Sequence, residues 1–169
     1  EHNAIVRDKL GEPLVIMVIL LLSCIAVLFG ILLYINTNII VLLVGVLSFA
    51  VGIAYSFGPL PISRMPLGEV VSGFFMGFVI VFLSVFVHIY DRDIVLFALE
   101  GQSILLRLNA VEVLSIFAFS IPAVCGIANI MLANNICDME DDIENGRYTL
   151  PIYIGKQKAL WLFEALYYI

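Results

Sequence analysis

Four apolar stretches, each about long enough to cross a bilayer, leave this chain little choice of fold. They run from about Pro13 to Ile35, Ile39 to Ser56, Leu67 to Tyr90 and Leu108 to Asn134. A helical span needs roughly 20 residues, and inside hydrocarbon each span must satisfy its own backbone N–H and C=O groups. Composition agrees, with 63% hydrophobic and only 13% charged residues and a mean hydropathy of +1.12. The expected class is all-α: a polytopic transmembrane helix bundle of four complete spans plus the start of a fifth, which opens near Ala159 and reaches Ile169. The chain begins at Glu1 without an initiator Met and ends inside that apolar run, and no signal-peptide pattern precedes the first span. Residues 1–169 are therefore expected to be one membrane domain truncated at both ends.

Asn36-Thr37-Asn38 is too short to do anything but turn the chain, so the first two spans form an antiparallel hairpin. Gly73-Phe-Phe-Met-Gly77 is a small-xxx-small pattern that lets two helices approach closely. The net charge of −6 argues against a nucleic-acid partner, which would want a basic face. Three cysteines give no disulfide framework: Cys24 and Cys125 sit in apolar runs, and Cys137 reads as a spacer in a carboxylate motif. His88 falls near a membrane boundary and reads as an interfacial packing residue, and Asp91 to Arg107 shows no cluster of potential ligands.

Basic residues set the orientation. The N-terminal segment, the Phe57–Pro66 loop and the Asn135–Lys158 loop share one side and hold Arg7, Lys9, Arg64, Arg147, Lys156 and Lys158. The other side holds only Arg92 and Arg107. Six against two places the first side in the cytoplasm.

That side carries the chemistry. Five of the fourteen acids crowd between Asp138 and Glu144, directly after Asn134 and Asn135. On a continued helix Asp138 and Asp142 stack one turn apart and share a face with the two asparagines. Carboxylates about 6 Å apart repel by roughly 3 kcal/mol at an effective dielectric near 20, so a partly buried pair calls for cations. Hard oxygen donors point to Mg²⁺, with a phosphate sharing its coordination sphere. A calcium EF-hand does not fit, because counting from Asp138 the required Gly is Ile143 and the bidentate Glu is Thr149.

A second element, Tyr55 to Glu69, contains Pro59, Pro61 and Pro66 and cannot be a regular helix. It stiffens a loop that presents Ser63 and Arg64. The Arg64 guanidinium can chelate phosphate oxygens, or it can anchor the loop to lipid headgroups. Tyr55 offers an aromatic face to a ligand or serves in an interfacial belt. A third element, Asn145-Gly-Arg147-Tyr-Thr-Leu-Pro151 followed by Gly155-Lys156, brings two cations behind the acids. They can face the carboxylates directly or reach a diphosphate held by their metal.

Asn134-Asn135-Ile-Cys-Asp138-Met-Glu-Asp-Asp142, followed by Glu-Asn-Gly-Arg147, resembles the second aspartate-rich motif of the UbiA-type membrane prenyltransferases. Gly-Pro-Leu-Pro-Ile-Ser63-Arg64-Met-Pro-Leu-Gly68-Glu69 is similar to the loop of the branch that prenylates 1,4-dihydroxy-2-naphthoate in menaquinone synthesis. The resemblance implies a helical bundle in a bacterial cell membrane, with a central cavity and cytoplasmic active-site loops. It implies a polyprenyl diphosphate and an aromatic, dihydroxynaphthoate-like acceptor as substrates. Asp138 and Asp142 then hold magnesium, and Asn134, Asn135, Ser63, Arg147 and Lys156 bind the metal–diphosphate group. Arg64 and Tyr55 are the expected catalytic residues. The family's first aspartate-rich motif belongs on a helix before Glu1; Asp8, between Arg7 and Lys9, does not reproduce it.

A secondary transporter or ion pathway with a carboxylate cation site is the rival. Its sites usually lie near the bilayer midplane on broken helices, whereas these acids fall at a boundary.

Overall fold

A computed structural model describes residues 11–59, 61–92, 94–101 and 103–169, with side chains left out at 99, 100, 103 and 104. Arg7, Asp8 and Lys9 lie outside the described residues. Four helices are long and apolar enough to cross a membrane: α1 (Glu12–Asn36), α2 (Ile39–Ser56), α3 (Gly68–Arg92) and α4 (Ala110–Cys137). They agree with the four expected spans to within a few residues. The short helices α5 (Met139–Glu144), α6 (Leu150–Ile154) and α7 (Lys156–Tyr167) follow. The protein is a polytopic integral membrane helix bundle.

The hairpin of α1 and α2 is closed by hydrogen bonds at both helix ends. The Thr37 hydroxyl donates to the Leu33 carbonyl at 2.6 Å, and Asn38 Oδ1 caps α2 by accepting from Ile40 N at 2.7 Å. No residue of α1 is buried, as expected of a helix whose apolar surface faces lipid.

The tightest packing joins α3 to α4. Gly73–Val79 takes a π-helical form within α3. A Cβ on Gly77 would lie 2.5 Å from Val124 Cα, and one on Gly73 would lie 2.9 Å from the Val124 carbonyl oxygen. The two glycines thus let backbone meet backbone, the close approach expected from their spacing. The contact falls on the turn after Pro122, which lies inside α4. Proline supplies no N–H to the preceding turn, so the α4 ladder is interrupted where α3 presses against it.

One feature departs from the sequence reading. Residues on the far side of the membrane form an antiparallel two-stranded ribbon, β1 (Val95–Glu100) with β2 (Ser103–Leu108), in the register Val95↔Leu108 to Glu100↔Ser103. The fourth span accordingly starts at Ala110, not Leu108, with Asn109 accepting from Glu112 N at its cap. Ile94 and Val95 are buried with Ile40, Val41, Phe82, Phe86 and Ile116. The ribbon thus plugs the end of the bundle opposite the acidic motif. At the motif end, Leu132 and Ile136 of α4 pack with Ala159 of α7.

Candidate functional site

Two elements meet at the motif end: the proline-rich loop between α2 and α3, and the turn that carries the chain out of α4 through α5 to α6. The loop is irregular, with a single 3₁₀ turn at Ile62–Arg64. Its position is fixed by the third sequence element. Tyr148 N donates to the Arg64 carbonyl at 3.0 Å, and Arg147 Nη2 donates to the Ser63 carbonyl at 3.4 Å.

The acidic motif does not stay on one uninterrupted helix. Asp138 is the hinge between α4 and α5, with its N–H bonded to the Asn134 carbonyl at 2.9 Å. Asn134 and Asp138 are exposed, whereas Asn135 and Asp142 are only 5% and 2% accessible. The expected four-residue face therefore splits into an outward and an inward pair.

The inward pair is committed within the protein. Asp142 Oδ2 accepts from the Thr149 hydroxyl at 3.1 Å, and Thr149 is wholly buried. Asp142 Oδ1 lies 3.3 Å from Arg147 Nε. That is a charge contact more than a directed bond, because Nε has no aligned acceptor. The Arg147 N–H also bonds to the Asp142 carbonyl at 2.8 Å. Gly146 makes this return possible with φ at 65°, which a residue with a Cβ rarely adopts. Arg147 is thus a staple from the acidic turn to the proline-rich loop.

Asn135 Nδ2 donates to Glu69 Oε1 at 2.8 Å across the α3–α4 contact. Glu69 is 4% accessible, and its Oε2 is buried without any partner. Sequence reasoning treated Glu69 as the end of a loop motif and not as a site residue. The available signal was an acid at the membrane boundary of an otherwise apolar helix. Thr149 was likewise missed, since a threonine seven residues after a carboxylate carries no local signature.

Tyr55 projects from the end of α2 to the same place. Its hydroxyl contacts the Met131 sulfur at 3.6 Å and would touch a Cβ on Gly68 at 3.5 Å. Below it a cavity of about 500 Å³ runs between α1, α2 and α3, lined by Gly45, Gly52, Tyr55, Ser72, Phe75 and Met131 among others. A separate cleft of about 340 Å³ opens outside, between Arg64, the three loop prolines, Tyr148 and Tyr153. Of the expected residues, Arg64 and Lys156 are exposed and Ser63 is half-buried, contributing its carbonyl. Lys156 opens α7 and lies outside the bonded network.

Among the described residues no group of three or more His, Cys, Asp or Glu side chains is arranged to hold a metal ion. Magnesium, however, commonly takes one or two protein carboxylates and completes its shell with water and substrate phosphate. The exposed Asp138, with Asn134 one turn before it, suits the protein's share of such a shell.

The family model described as the UbiA prenyltransferase family matches residues 2–169. Over 163 residues, 96% of this chain, the sequence is 34% identical to a 1,4-dihydroxy-2-naphthoate octaprenyltransferase of Bacillus subtilis (strain 168). The chain spans 46% of that protein's length. No solved structure matches the chain.

Proposed function

The chain belongs to the UbiA prenyltransferase family, and on that footing we propose that the intact protein transfers a polyprenyl group from its diphosphate to an aromatic quinone precursor. The acceptor is 1,4-dihydroxy-2-naphthoate or a close analogue, and the product feeds menaquinone synthesis. The observation that carries the reading is the juxtaposition at one end of the bundle. An exposed carboxylate–amide pair, Asp138 and Asn134, ends the helix whose Met131 lines an apolar cavity between the membrane helices, and Arg147 lies against Asp142 at the same end.

Each part has a task. The cavity takes isoprenoid units, and its apolar walls keep water from the allylic carbon as the carbon–oxygen bond breaks. Arg64, held in a proline-stiffened loop, presents two parallel N–H donors to the diphosphate. Arg147 and Lys156 supply further positive charge on the same side, and Ser63 holds the Arg147 guanidinium through its carbonyl. Tyr55 closes the head of the cavity and offers its ring to the developing cation. Asp138 would be the carboxylate that holds Mg²⁺, with Asn134 one turn before it. When bound, the metal supplies charge stabilisation to the departing diphosphate. Asp142 would provide a second carboxylate once a diphosphate draws Arg147 away from it. Asn135 serves by setting Glu69. The acceptor ring carbon then bonds to the allylic carbon, with loss of the acceptor's carboxylate.

We place the motif end on the cytoplasmic face of a bacterial cell membrane. Arg64, Arg147, Lys156 and Lys158 lie at that end, against Arg92 and Arg107 at the other.

Asp138→Asn tests the assignment. The exposed side chain makes the change structurally mild, yet turnover at saturating magnesium should fall by a hundredfold or more, on the order of what loss of a key electrostatic group costs. Wild-type turnover would remove Asp138 from the site and the metal with it.

A further inference from the structure

Among the described residues, Glu69 is the one buried acid to which the proposed transfer chemistry gives no direct contact with substrate. It lies at the start of α3, one turn before Ser72 on the same side of the helix, and Ser72 lines the cavity. Its two oxygens are unlike. Oε1 accepts from Asn135 Nδ2 at 2.8 Å, and Oε2 is fully enclosed with no donor. Holding Asn135 needs a single acceptor oxygen, which a glutamine carbonyl would provide. A buried oxygen without a partner costs its full desolvation, so the second oxygen calls for a donor that the described residues do not supply. At a membrane boundary, such a group is by default a functional one.

The residues next to Glu69 and one turn before Asn135 lead to the cavity. Met131 lies one turn before Asn135 on α4, and its sulfur touches the Tyr55 hydroxyl. That hydroxyl in turn packs over Gly68, the neighbour of Glu69. Tyr55 and Met131 both line the cavity head. Two of the side chains between the neighbours of Glu69 and the cavity head are thus a phenol and an unbranched, adaptable thioether.

We infer that Glu69 is a specificity residue that reads a ring hydroxyl of the aromatic acceptor, with Oε2 accepting its hydrogen bond at the head of the cavity. This rests on the prenyl-transfer reading and names how that site recognises its acceptor. A buried acceptor oxygen left empty rejects analogues that lack the matching hydroxyl. Phenol-type acceptors are thereby selected over ring systems carrying only carbonyls at that position.

Glu69→Gln tests it without enlarging or emptying the site. Asn135 Nδ2 would hold the glutamine carbonyl where Oε1 sits, leaving an amide N–H₂ where Oε2 was, so an acceptor becomes a donor. Using the intact protein in nanodiscs with a polyprenyl diphosphate, kcat/KM is compared for 1,4-dihydroxy-2-naphthoate and its two deoxy analogues. Loss of a hydroxyl also changes ring reactivity, but that change is common to both proteins and cancels. The expected result is that wild-type preference for one of the two hydroxyls falls by about 10- to 100-fold in the variant, the worth of a hydrogen bond to a charged group. An unchanged preference, with all acceptors slowed alike, would make Glu69 purely structural and overturn the inference.

A wild-type measurement stands beside it should the variant not accumulate. Binding of the three naphthoates by calorimetry should show one deoxy analogue weakened at least about tenfold. Equal affinities would overturn the inference as well. Absence of prenylated product from wild type with every acceptor is a different failure: it removes the transfer reading, and this role with it.

Discussion

Removing the Thr149 hydroxyl should loosen the acidic turn more than removing the Asp142 charge. Thr149 Oγ1 donates to Asp142 Oδ2 at 3.1 Å, with the two residues 0% and 2% accessible. Thr149→Val nearly keeps the side-chain shape and leaves that oxygen without a donor in a site closed to water. A hydrogen bond to a charged group is worth about 1.5–3 kcal/mol, and a stranded acceptor costs its full desolvation. About 2 kcal/mol is expected, a factor of roughly 30 in the folded population. Asp142→Asn keeps an acceptor for Thr149 and loses only the attraction to Arg147, whose side chain is 38% exposed. Water screens such a pair, so its loss should cost about 1 kcal/mol or less. Because both changes touch one carboxylate, the double variant should be less damaged than the two single costs added together. The assay is unfolding in mixed micelles by titration with a denaturing detergent, following circular dichroism and α4–α6 proximity. A Thr149→Val protein as stable as wild type, or one less affected than Asp142→Asn, would refute this account of the turn.

Two further changes probe the loop and the helix contact. Arg64→Lys keeps the charge and should sustain membrane insertion, but an ammonium cannot reproduce a planar fork. The loss of one charge-assisted bond then lowers kcat/KM by about ten- to a hundredfold, whereas near-normal efficiency would leave only the headgroup-anchor role. Gly77→Ala places a methyl 2.5 Å from Val124 Cα, and backbone cannot yield as a side chain tip can. Overpacking of about 1–3 kcal/mol should outweigh the roughly 1 kcal/mol gained in helix propensity. Gly126→Ala, with nothing within 4 Å of its added carbon, should be close to neutral in the same detergent-unfolding assay.

The bundle was legible in the sequence because lipid imposes a rule that composition alone can report. Any segment of that length and polarity must be helical, so α1 to α4 appear within a few residues of their expected ends. The tight Asn36–Asn38 connection and the Gly73–Gly77 contact were legible for the same reason, being local. The ribbon of Val95 to Leu108 was not. Its strands are as apolar as the helices on either side, and only Gly101, at φ 61°, marks the turn. The π-helical stretch in α3 also has no sequence period of its own; it occurs where Gly77 meets Val124 from another helix.

At the site, the residue types were legible and their directions were not. A four-residue spacing put Asn134, Asn135, Asp138 and Asp142 on one expected face, but the break at Asp138 turns Asp142 inward to Thr149 and Arg147. Glu69 and Asn135 find each other across 66 positions of chain, a pairing that no local pattern contains. Arg147 was expected beside the acids or on a diphosphate. It is found on Asp142 and on the proline-rich loop together, which explains how two distant motifs form one surface.

Reconstitution of the intact protein into proteoliposomes tests the central claim most directly. Given a polyprenyl diphosphate, 1,4-dihydroxy-2-naphthoate and magnesium, it should release diphosphate and form a carbon–carbon-linked prenyl product in step. Chelation of the metal should stop both, its return should restore them, and no solute flux should accompany turnover. Solute or cation flux without prenylated product, at any magnesium concentration, would contradict the claim and favour a transport site at the same carboxylates.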